Sequence, residues 1–446
     1  MRVVGHGGGF RRNVVGLAVT LAKTSMRRAI AVRLPERDGT ATTPEHEVEM
    51  DRRIDIYLEP LIDEDLMSFY QSVCEFSEEQ IAPHLLPWER GHKLVSDEAI
   101  AAMGEMGLFG LTVPEEYGGQ GGSAIHMLLM GLALGYHSQS VAITPGAAAS
   151  LGINPLLAYG SEEQKRAHLP DLAAGKRMVV FGLSEPGRGS DAANPEVRAV
   201  RTGSGWCISG EKCWSTNARW ASHVVVHALT DPDGPHGKRT TCFLVPMDAK
   251  GVHYQEMEGK EVWKQSSTGS IAFDNVEVAG DAIVGEENRG FKVMVTTLNG
   301  GRQFIAALAL ASAAFALDRT RTYCQERLQF DDKPIGRFQR VQDVILDLDI
   351  FVEQSANWLI NVVKRYDQGT LARETAAKIK IELSRRASDL MTLAMEVCGG
   401  VSSFDEFGLI QHFRDLFVTR VGEGSNFALK SFCVRPLMPE IANQLQ

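Results

Sequence analysis

The feature that most constrains the fold is a set of three long amphipathic stretches in the second half of the chain. They cover residues 304–328, 340–366 and 374–398, and each has apolar residues at i, i+3 and i+4 spacing. This spacing places the apolar side chains on one face of a helix, and that face must be buried against other helices. The stretches therefore predict a C-terminal four-helix bundle.

The first half of the chain is divided between a helical region and a strand-rich region. Residues 61–176 have helical patterns, with Ser96 and Ser161 at positions expected of helix N-caps. From residue 178 onward, short segments rich in β-branched and aromatic residues alternate with turns, most clearly at 224–229, 241–247 and 269–278. This order predicts an α+β protein with an N-terminal helical domain (51–177), a central antiparallel β-domain (178–289) and the C-terminal bundle (290–446).

The composition is that of a globular protein without an extended basic surface. The 446 residues are 44% hydrophobic and 23% charged, with a net charge of -10. This balance argues against a general nucleic-acid binder. The seven cysteines form no C-x-x-C pair and the histidines lack metal-ligand spacing, so we predict reduced thiols and no metal site. No uncharged apolar run reaches about 18 residues, so no membrane span is expected.

Residues 1–50 differ from the rest of the chain, because basic residues from Arg2 to Arg33 precede the first acidic residue, Glu36. An Arg-rich start of this kind occurs in mitochondrial transit peptides, and Arg11-Arg12 loosely resembles a twin-arginine signal. We favour a plain leader, or a true start at Met50. The expected location is the cytoplasm, with the mitochondrial matrix left open as the alternative.

Three separated segments carry the chemistry of the chain. Residues 181–191 read FGLSEPGRGSD, residues 210–217 read GEKCWSTN, and residues 421–426 read VGEGSN. The glycines of the first segment let the backbone approach a ligand closely. Together and in this order, the segments resemble the acyl-CoA dehydrogenase family, and the resemblance extends from about residue 61 to residue 437. It implies a protein that binds FAD and oxidises an acyl thioester.

The resemblance implies which residues surround the flavin. In the first segment, Phe181, Leu183 and Ser184 would line the flavin ring, and Ser190 would contact the CoA end of the thioester. In the second segment, Trp214 would pack on the flavin. Thr216 would hydrogen-bond near N5, the flavin atom that accepts the hydride.

A second part of the FAD site is implied by residues 326–342, which read ERLQFDDKPIGRFQRVQ. Arg327 would meet the pyrophosphate, a role suited to a planar cation. Phe330 would pack near the adenosine, and Gln339 would hydrogen-bond to it. The turn Gly399-Gly400 would complete this site across a subunit interface. The resemblance therefore implies a homo-oligomer, with dimer and tetramer both open.

Glu423 is the predicted catalytic base, because it stands where the family has a glutamate. A carboxylate near the α-carbon can remove the proton next to a thioester, and burial is expected to raise its pKa. By resemblance, the backbone N–H of Glu423 and a flavin ribityl hydroxyl would stabilise the enolate-like oxygen. Gly424 is expected at the substrate and Ser425 at the FAD.

Some family members carry the base on an earlier helix, at the position of Gly301, where this chain has no carboxylate. Next to it, Arg302 matches an arginine near the substrate, and Asn299 replaces an acidic residue. Both are expected at the substrate. Gly422 replaces a frequent aromatic residue beside the base, which is expected to widen the acyl pocket.

These residues predict an FAD-dependent enzyme that converts an acyl-CoA to the trans-2-enoyl-CoA. Glu423 would take the α-proton, flavin N5 the β-hydride, and an electron-transferring flavoprotein would reoxidise the flavin. The alternatives are a dehydrogenase of the same fold acting on a carrier-protein-bound acyl group, a flavin monooxygenase of the same fold, and an inactive flavin-binding protein. The presence of Glu423 argues against the last two.

Overall fold

The computed structural model describes residues 52–444, so the predicted leader lies outside the described residues. Eight helices open this part of the chain: α1 (Arg53–Leu58), α2 (Glu64–Phe76), α3 (Ala82–Arg90), α4 (Asp97–Glu105), α5 (Ala124–His137), α6 (Gln139–Ala147), α7 (Asn154–Tyr159) and α8 (Glu162–Ala173). The predicted caps are confirmed. Ser96 accepts a hydrogen bond from the backbone N–H of Ala99, and Ser161 accepts one from that of Gln164.

The next part of the chain forms one eight-stranded sheet. Its strands are β1 (Met178–Gly182), β2 (Arg198–Arg201), β3 (Gly205–Thr216), β4 (Ala221–Leu229), β5 (Thr240–Pro246), β6 (Val252–Glu256), β7 (Thr268–Ala279) and β8 (Ile283–Val284). Seven of them follow the order β6-β7-β3-β2-β4-β5-β8, and β1 pairs with β4. The three strands predicted from their β-branched and aromatic residues correspond to β4, β5 and β7.

The expectation of a purely antiparallel sheet is wrong for two strand pairs. β1 runs parallel to β4 from Met178 to Gly182, and β2 pairs parallel with β4 at its end. Parallel neighbours require a long connection. Residues 183–220 provide it for β1, because they form the β2–β3 pair before the chain returns as β4. The other pairings are antiparallel.

Long helices return after the sheet. They are α9 (Gly290–Glu326), α10 (Gln339–Asp367), α11 (Arg373–Cys398), α12 (Leu409–Val421) and α13 (Asn426–Val434), with a small hairpin of β9 (Leu328–Gln329) and β10 (Lys333–Pro334) after α9. α9 packs against α10, α11 and α12, which gives the predicted four-helix arrangement. Because the element types change at Met178 and Gly290, we propose domains at 51–177, 178–289 and 290–446.

Small residues let the N-terminal helices approach α9 closely. A Cβ added to Gly146 on α6 would lie 2.1 Å from the ring of Phe304 on α9, and one added to Gly131 on α5 would lie 2.7 Å from the same ring. Phe304 is therefore packed against two helices of the N-terminal region. This contact joins the first and last helical parts of the chain into one core.

Two helical segments, Gln139–Tyr159 and Gly290–Glu326, are long and apolar enough to cross a membrane. However, 78% and 94% of their most apolar windows are buried inside the protein. Core helices pass the same length and hydropathy test, and the burial of these segments identifies them as core helices.

Gly146→Ala is expected to lower the free energy of unfolding by about 1–3 kcal/mol, because the added methyl group would overlap the Phe304 ring. Gly203→Ala is the matched control, since a Cβ there meets no atom within 4 Å. Urea unfolding midpoints would measure the difference. Equal midpoints for the two variants would show that the α6–α9 contact tolerates an extra methyl group.

Candidate active site

The first group of predicted site residues lies where β1 passes into the following loop. Phe181 is buried near the end of β1, and Leu183 and Ser184 follow it. Two hydrogen bonds attach this loop to β3: the backbone N–H of Cys213 donates to the carbonyl of Ser184 at 2.9 Å, and Lys212 Nζ donates to the carbonyl of Leu183 at 3.0 Å. The loop is therefore held beside the segment that carries Trp214 and Thr216.

A buried ion pair between β3 and the same loop also stabilises the loop. Lys212 Nζ lies 2.6 Å from Glu185 Oε1, and both side chains are almost completely inaccessible to solvent. Glu185 Oε1 also accepts a hydrogen bond from the backbone N–H of Val197 at 3.0 Å. A carboxylate that is desolvated in this way must be paired to be tolerated. The pair therefore fixes where the loop leaves β1.

Trp214 is directed outward by an irregularity in β3. The pairing of β3 with β7 shifts register between Lys212 and Ser215, as at a β-bulge, and Trp214 has φ 60°. A bulge turns a side chain away from the regular alternation of the strand. The Trp214 side chain is 62% exposed as a result. Thr216 is half-buried, paired with Thr268 of β7.

Ser190 lies on the exposed part of the loop, beyond Arg188. Arg188 forms ion pairs with Asp191 at 2.9 Å and with Glu196 at 3.2 Å. All three side chains are at least 42% exposed. Arg188 therefore pairs with two carboxylates that are close to it in sequence.

Glu423 lies in a tight turn between α12 and α13. Glu423 and Gly424 both have positive φ, 55° and 91°, and Ser425 ends the turn by accepting a hydrogen bond from the backbone N–H of Ala428. A positive φ is unusual for a glutamate and is maintained only where the surroundings stabilise it. Here Arg302 Nε donates to the carbonyl of Glu423 at 3.2 Å.

The Glu423 carboxylate is directed at Gly301. A Cβ on Gly301 would lie 2.6 Å from Glu423 Oε1, so the carboxylate would have to move to admit a side chain at this position. The glycine therefore leaves the space that the Glu423 carboxylate occupies in this structure.

Burial sets the acidity of Glu423. The residue as a whole is half-buried, but its Oε2 atom is inaccessible and has no hydrogen-bond partner among residues 52–444. Desolvation of the charged form raises the pKa of Glu423 to about 7, while the nearby Arg302 and Lys380 act in the opposite direction. The carboxyl group can therefore gain or lose a proton near neutral pH.

Asn299 and Arg302 lie together on α9, where Arg302 Nη1 donates to Asn299 Oδ1 at 2.7 Å. The preceding turn of α9 belongs to the same apolar cluster as the end of β1 and the loop that follows it, because Leu298 packs there together with Phe181 and Leu183. The structure therefore brings the loop after β1 and the Glu423 turn to the same stretch of α9, through Leu298 and Arg302 respectively.

Arg327, Phe330 and Gln339 lie elsewhere, beyond the C-terminal end of α9 around the β9–β10 hairpin. All three are exposed, and the ring of Phe330 is 69% accessible and contacts Phe338 edge-on. Gly399 and Gly400 are also exposed, at the end of α11, and a Cβ on either would meet no atom of this chain within 4 Å.

Comparisons with known proteins identify the family of the chain. The N-terminal, middle and C-terminal domain models of acyl-CoA dehydrogenase match residues 63–176, 180–276 and 288–435. A probable acyl-CoA dehydrogenase of Bacillus subtilis is 33% identical over 368 residues, covering 82% of this chain and 96% of the relative. The chain belongs to the acyl-CoA dehydrogenase family.

Solved structures resemble this acyl-CoA dehydrogenase over most of its length. A chain from a study of the electron transferring flavoprotein of Acidaminococcus fermentans has a TM-score of 0.81 and 30% identity, covering 84% of this chain and 98% of its own. A glutaryl-CoA dehydrogenase of Mycobacterium smegmatis in complex with FADH2 has a TM-score of 0.82 and 27% identity, with 87% and 98% covered. The protein is an FAD-dependent oxidoreductase that acts on acyl-CoA.

The residues of this acyl-CoA dehydrogenase fit a flavin cofactor. Trp214 and Phe330 present exposed aromatic faces, on which a flavin ring and an adenine can stack. A Cβ on Gly189, Gly399 or Gly400 would meet open space, so the backbone is accessible there. These features suit a large planar ligand that covers apolar surface and approaches the main chain.

Two supporting residues were missed by the sequence reasoning, Lys212 and Lys380. Lys212 lies four residues after the buried Ile208 on the same strand, and Lys380 lies between the buried Ala376 and Ser384 at helical spacing. Each lysine thus occupies a position where its neighbours at the same spacing are buried. A lysine at the same spacing as buried residues of its strand or helix was the signal that could have indicated these two positions.

Glu185→Ala is expected to destabilise the enzyme by about 3–5 kcal/mol and to reduce its bound flavin, because the ammonium group of Lys212 would remain buried without its partner. Glu382→Ala, which removes an exposed pair with Arg385, is the control and should cost about 1 kcal/mol or less. Chemical unfolding and flavin-to-protein absorbance ratios would measure both effects. Equal losses in the two variants would contradict a supporting role for the buried pair.

Proposed function

We propose that this enzyme removes a proton and a hydride from the α- and β-carbons of an acyl-CoA and releases the trans-2-enoyl-CoA. In this proposal Glu423 is the base that takes the α-proton. The observation that carries the assignment is the Glu423 carboxylate, which is buried at Oε2, lacks a hydrogen-bond partner among the described residues, and has a pKa raised to about 7. When bound, FAD supplies the acceptor for the hydride of the β-carbon.

The raised pKa is useful for this reaction. An α-proton of a thioester is weakly acidic, so a base with a pKa near 7 accepts it more readily than an exposed carboxylate does. The same group must be ionised before it can act, and Arg302 and Lys380 favour the ionised form. We propose that the backbone N–H of Glu423 donates to the thioester carbonyl as negative charge develops there.

The proposed substrate side of the site is formed by Ser190, Asn299, Arg302 and Gly424. Arg302 holds the carbonyl of Glu423, and through it the direction of the carboxylate. Small residues surround the base: Gly301 leaves room for the carboxylate, and Gly422 would direct a side chain only toward Val418. The acyl group would therefore meet open space next to the base, which supports a wide pocket.

The proposed flavin side is formed by Phe181, Leu183, Ser184, Trp214 and Thr216. The positions of these residues support the assignment. Two hydrogen bonds join the loop after β1 to β3 beside its bulge, and the indole of Trp214 is exposed there. Ser184 and Thr216 each provide a hydroxyl group. Ser425, in the turn that carries the base, would contact the FAD from the other side.

We propose that FAD is bound between two copies of the chain. Arg302 and Arg327 are separated by 25 positions of the continuous helix α9, or about 37 Å at 1.5 Å per residue. This span is longer than an extended FAD molecule. A cofactor beside the base could not also meet Arg327, Phe330 and Gln339 of the same chain, and a second copy would supply them together with Gly399 and Gly400.

An electron-transferring flavoprotein is the proposed acceptor of the electrons from reduced FAD. The support is the family together with the similarity to a chain studied with the electron transferring flavoprotein of Acidaminococcus fermentans. We propose a cytoplasmic location, since the relative in Bacillus subtilis is bacterial.

Anaerobic titration with a panel of acyl-CoA esters tests the function, with oxidised-flavin absorbance as the readout. The wild-type enzyme is expected to bleach with at least one ester and to form its enoyl product. Glu423→Gln should bind FAD but bleach at least about 1,000-fold more slowly, since it lacks the base. Glu440→Gln, outside the site, is the control. A bound flavin that bleaches with no CoA ester would contradict a CoA substrate, and near-normal bleaching of Glu423→Gln would contradict the assigned base.

The rate of flavin reduction at low acyl-CoA concentration should rise with pH through about 7. Glu423 acts in its ionised form, which dominates above its pKa and is lost as the pH falls below it. Stopped-flow measurements of flavin bleaching between pH 5 and pH 9, about two units on each side of this pKa, would follow this rise, which is the acid limb of the pH–rate profile. A rate that stays nearly constant from pH 9 down to about pH 6 and falls only slightly at pH 5, as for a carboxylate with the ordinary pKa of 4.5, would show that the carboxylate is solvated in the free enzyme.

A further inference from the structure

Lys380 is a fully buried lysine on α11 that the reaction above does not use as an acid or base. Its Nζ donates to the carbonyl of Gly424 at 2.8 Å and to Asn426 Oδ1 at 2.9 Å. Asn426 in turn donates through Nδ2 to Ser384 Oγ at 2.9 Å. The ammonium group therefore joins the turn that carries Glu423 to the first residue of α13 and to α11.

Burying a lysine is costly unless its charge is compensated. Desolvation lowers the pKa of Lys380 to about 7, and Glu423 opposes this lowering. The two hydrogen-bond partners of the ammonium group are a carbonyl and an amide oxygen, so the compensating negative charge is that of Glu423. The two buried groups thus stabilise each other's charged form, while the hydrogen bonds of Lys380 Nζ go to Gly424 and Asn426 and not to the carboxylate.

Other charged groups near the base have different roles. Arg302 approaches from α9 and holds the carbonyl of Glu423. Burial raises the pKa of Cys433 on α13, so its thiol is uncharged near neutral pH. Other titratable groups on the packed helices include Tyr366 of α10, whose hydroxyl faces Gly300, Glu374 and Lys378 of α11, which act on Cys433, and the exposed Arg420 of α12 and Lys430 of α13. Lys380 is therefore a buried cation whose hydrogen bonds go to the Glu423 turn and to the first residue of α13.

We propose that Lys380 is a positioning residue, which fixes the Glu423 turn and keeps the Glu423 carboxylate ionised after substrate has excluded water. Its cation balances the carboxylate from the α11 side, while its hydrogen bonds hold the carbonyl next to Glu423. The inference rests on the proposed function, because it assigns Lys380 a role toward the proposed base.

The test compares three variants by anaerobic flavin reduction at low acyl-CoA concentration across the pH range. Lys380→Met keeps the length of the side chain and removes its charge. Lys380→Arg keeps a cation that does not lose its proton. Lys378→Met, two residues earlier on α11 and half-buried, is the matched control. Bound flavin and the unfolding midpoint are measured for each variant.

Lys380→Met is expected to move the acid limb of the reduction rate upward by about one pH unit, with the rate recovering at high pH. Lys380→Arg should keep the limb at or below its wild-type position, and Lys378→Met should leave it unchanged. A lysine with a purely structural role would reduce the rate by the same factor at every pH. The ionisation of CoA affects all variants equally and cancels in the comparison.

The inference is overturned if Lys380→Met binds flavin and has an unmoved limb, or if Lys380→Arg moves the limb upward as far as methionine does. If Lys380→Met does not retain flavin, the test rests on Lys380→Arg. An upward shift of its acid limb would contradict a role for the charge of Lys380, and a limb at or below the wild-type position would support that role. Failure of the proposed function gives a different result, because the wild-type enzyme itself would then not bleach with any acyl-CoA.

Discussion

The close packing of α9 on every side is the constraint on which the rest of the structure depends. The helix passes through the core between α5 and α6 on one side and α10, α11 and α12 on the other. Such a position demands small side chains, and residues 305–316 are rich in alanine. Where the packing is closest, the N-terminal helices contribute glycine, as at Gly131 and Gly146. Close-packed cores do not deform easily, so groups attached to this helix keep their spacing.

The start of α9 shows how this rigidity serves the site. Asn299, Gly301 and Arg302 lie within about one turn of a helix that packs against the loop after β1 through Leu298. Gly301 receives the carboxylate, Arg302 holds the carbonyl of the same residue, and Asn299 orients Arg302. A glycine inside a helix ordinarily weakens it by about 1 kcal/mol. Here the tertiary packing overrides that preference, and the Glu423 carboxylate occupies the space that a side chain at position 301 would fill.

The two cations near Glu423 solve a problem of competing requirements. A direct ion pair would hold the carboxylate ionised but would also occupy the oxygen atoms that receive the proton in the proposed reaction. In this structure Arg302 and Lys380 donate instead to the carbonyl oxygens of Glu423 and Gly424. The charge is thus stabilised from a distance while the carboxylate remains oriented toward Gly301. The raised pKa of Glu423 is the balance between desolvation and these two cations.

The sequence predicted what depends on local pattern or on a motif. The caps at Ser96 and Ser161, the strands β4, β5 and β7 and the long C-terminal helices all have signals within a few residues. The family and its FAD dependence followed from separated motifs in order. The parallel pairing of β1 with β4 has no such signal, because it joins residues about 40 positions apart. The contacts of Lys380 with Gly424 and of Lys212 with Glu185 are likewise tertiary. The apolar periodicity that predicted α9 begins only at residue 304, because Thr296, Thr297, Asn299 and two glycines before it are poor helix formers.

The length of α9 also has a genetic consequence. If each FAD lies between two chains, the base of one site and the pyrophosphate contact of that site are encoded on different copies. An allele that lacks Glu423 and an allele that lacks Arg327 would then each be inactive alone. Mixed assemblies of the two would contain sites in which both defects fall on the same cofactor, and sites in which neither does. Two null alleles could therefore complement each other within one gene, as a direct result of a helix too long to serve one cofactor from both ends.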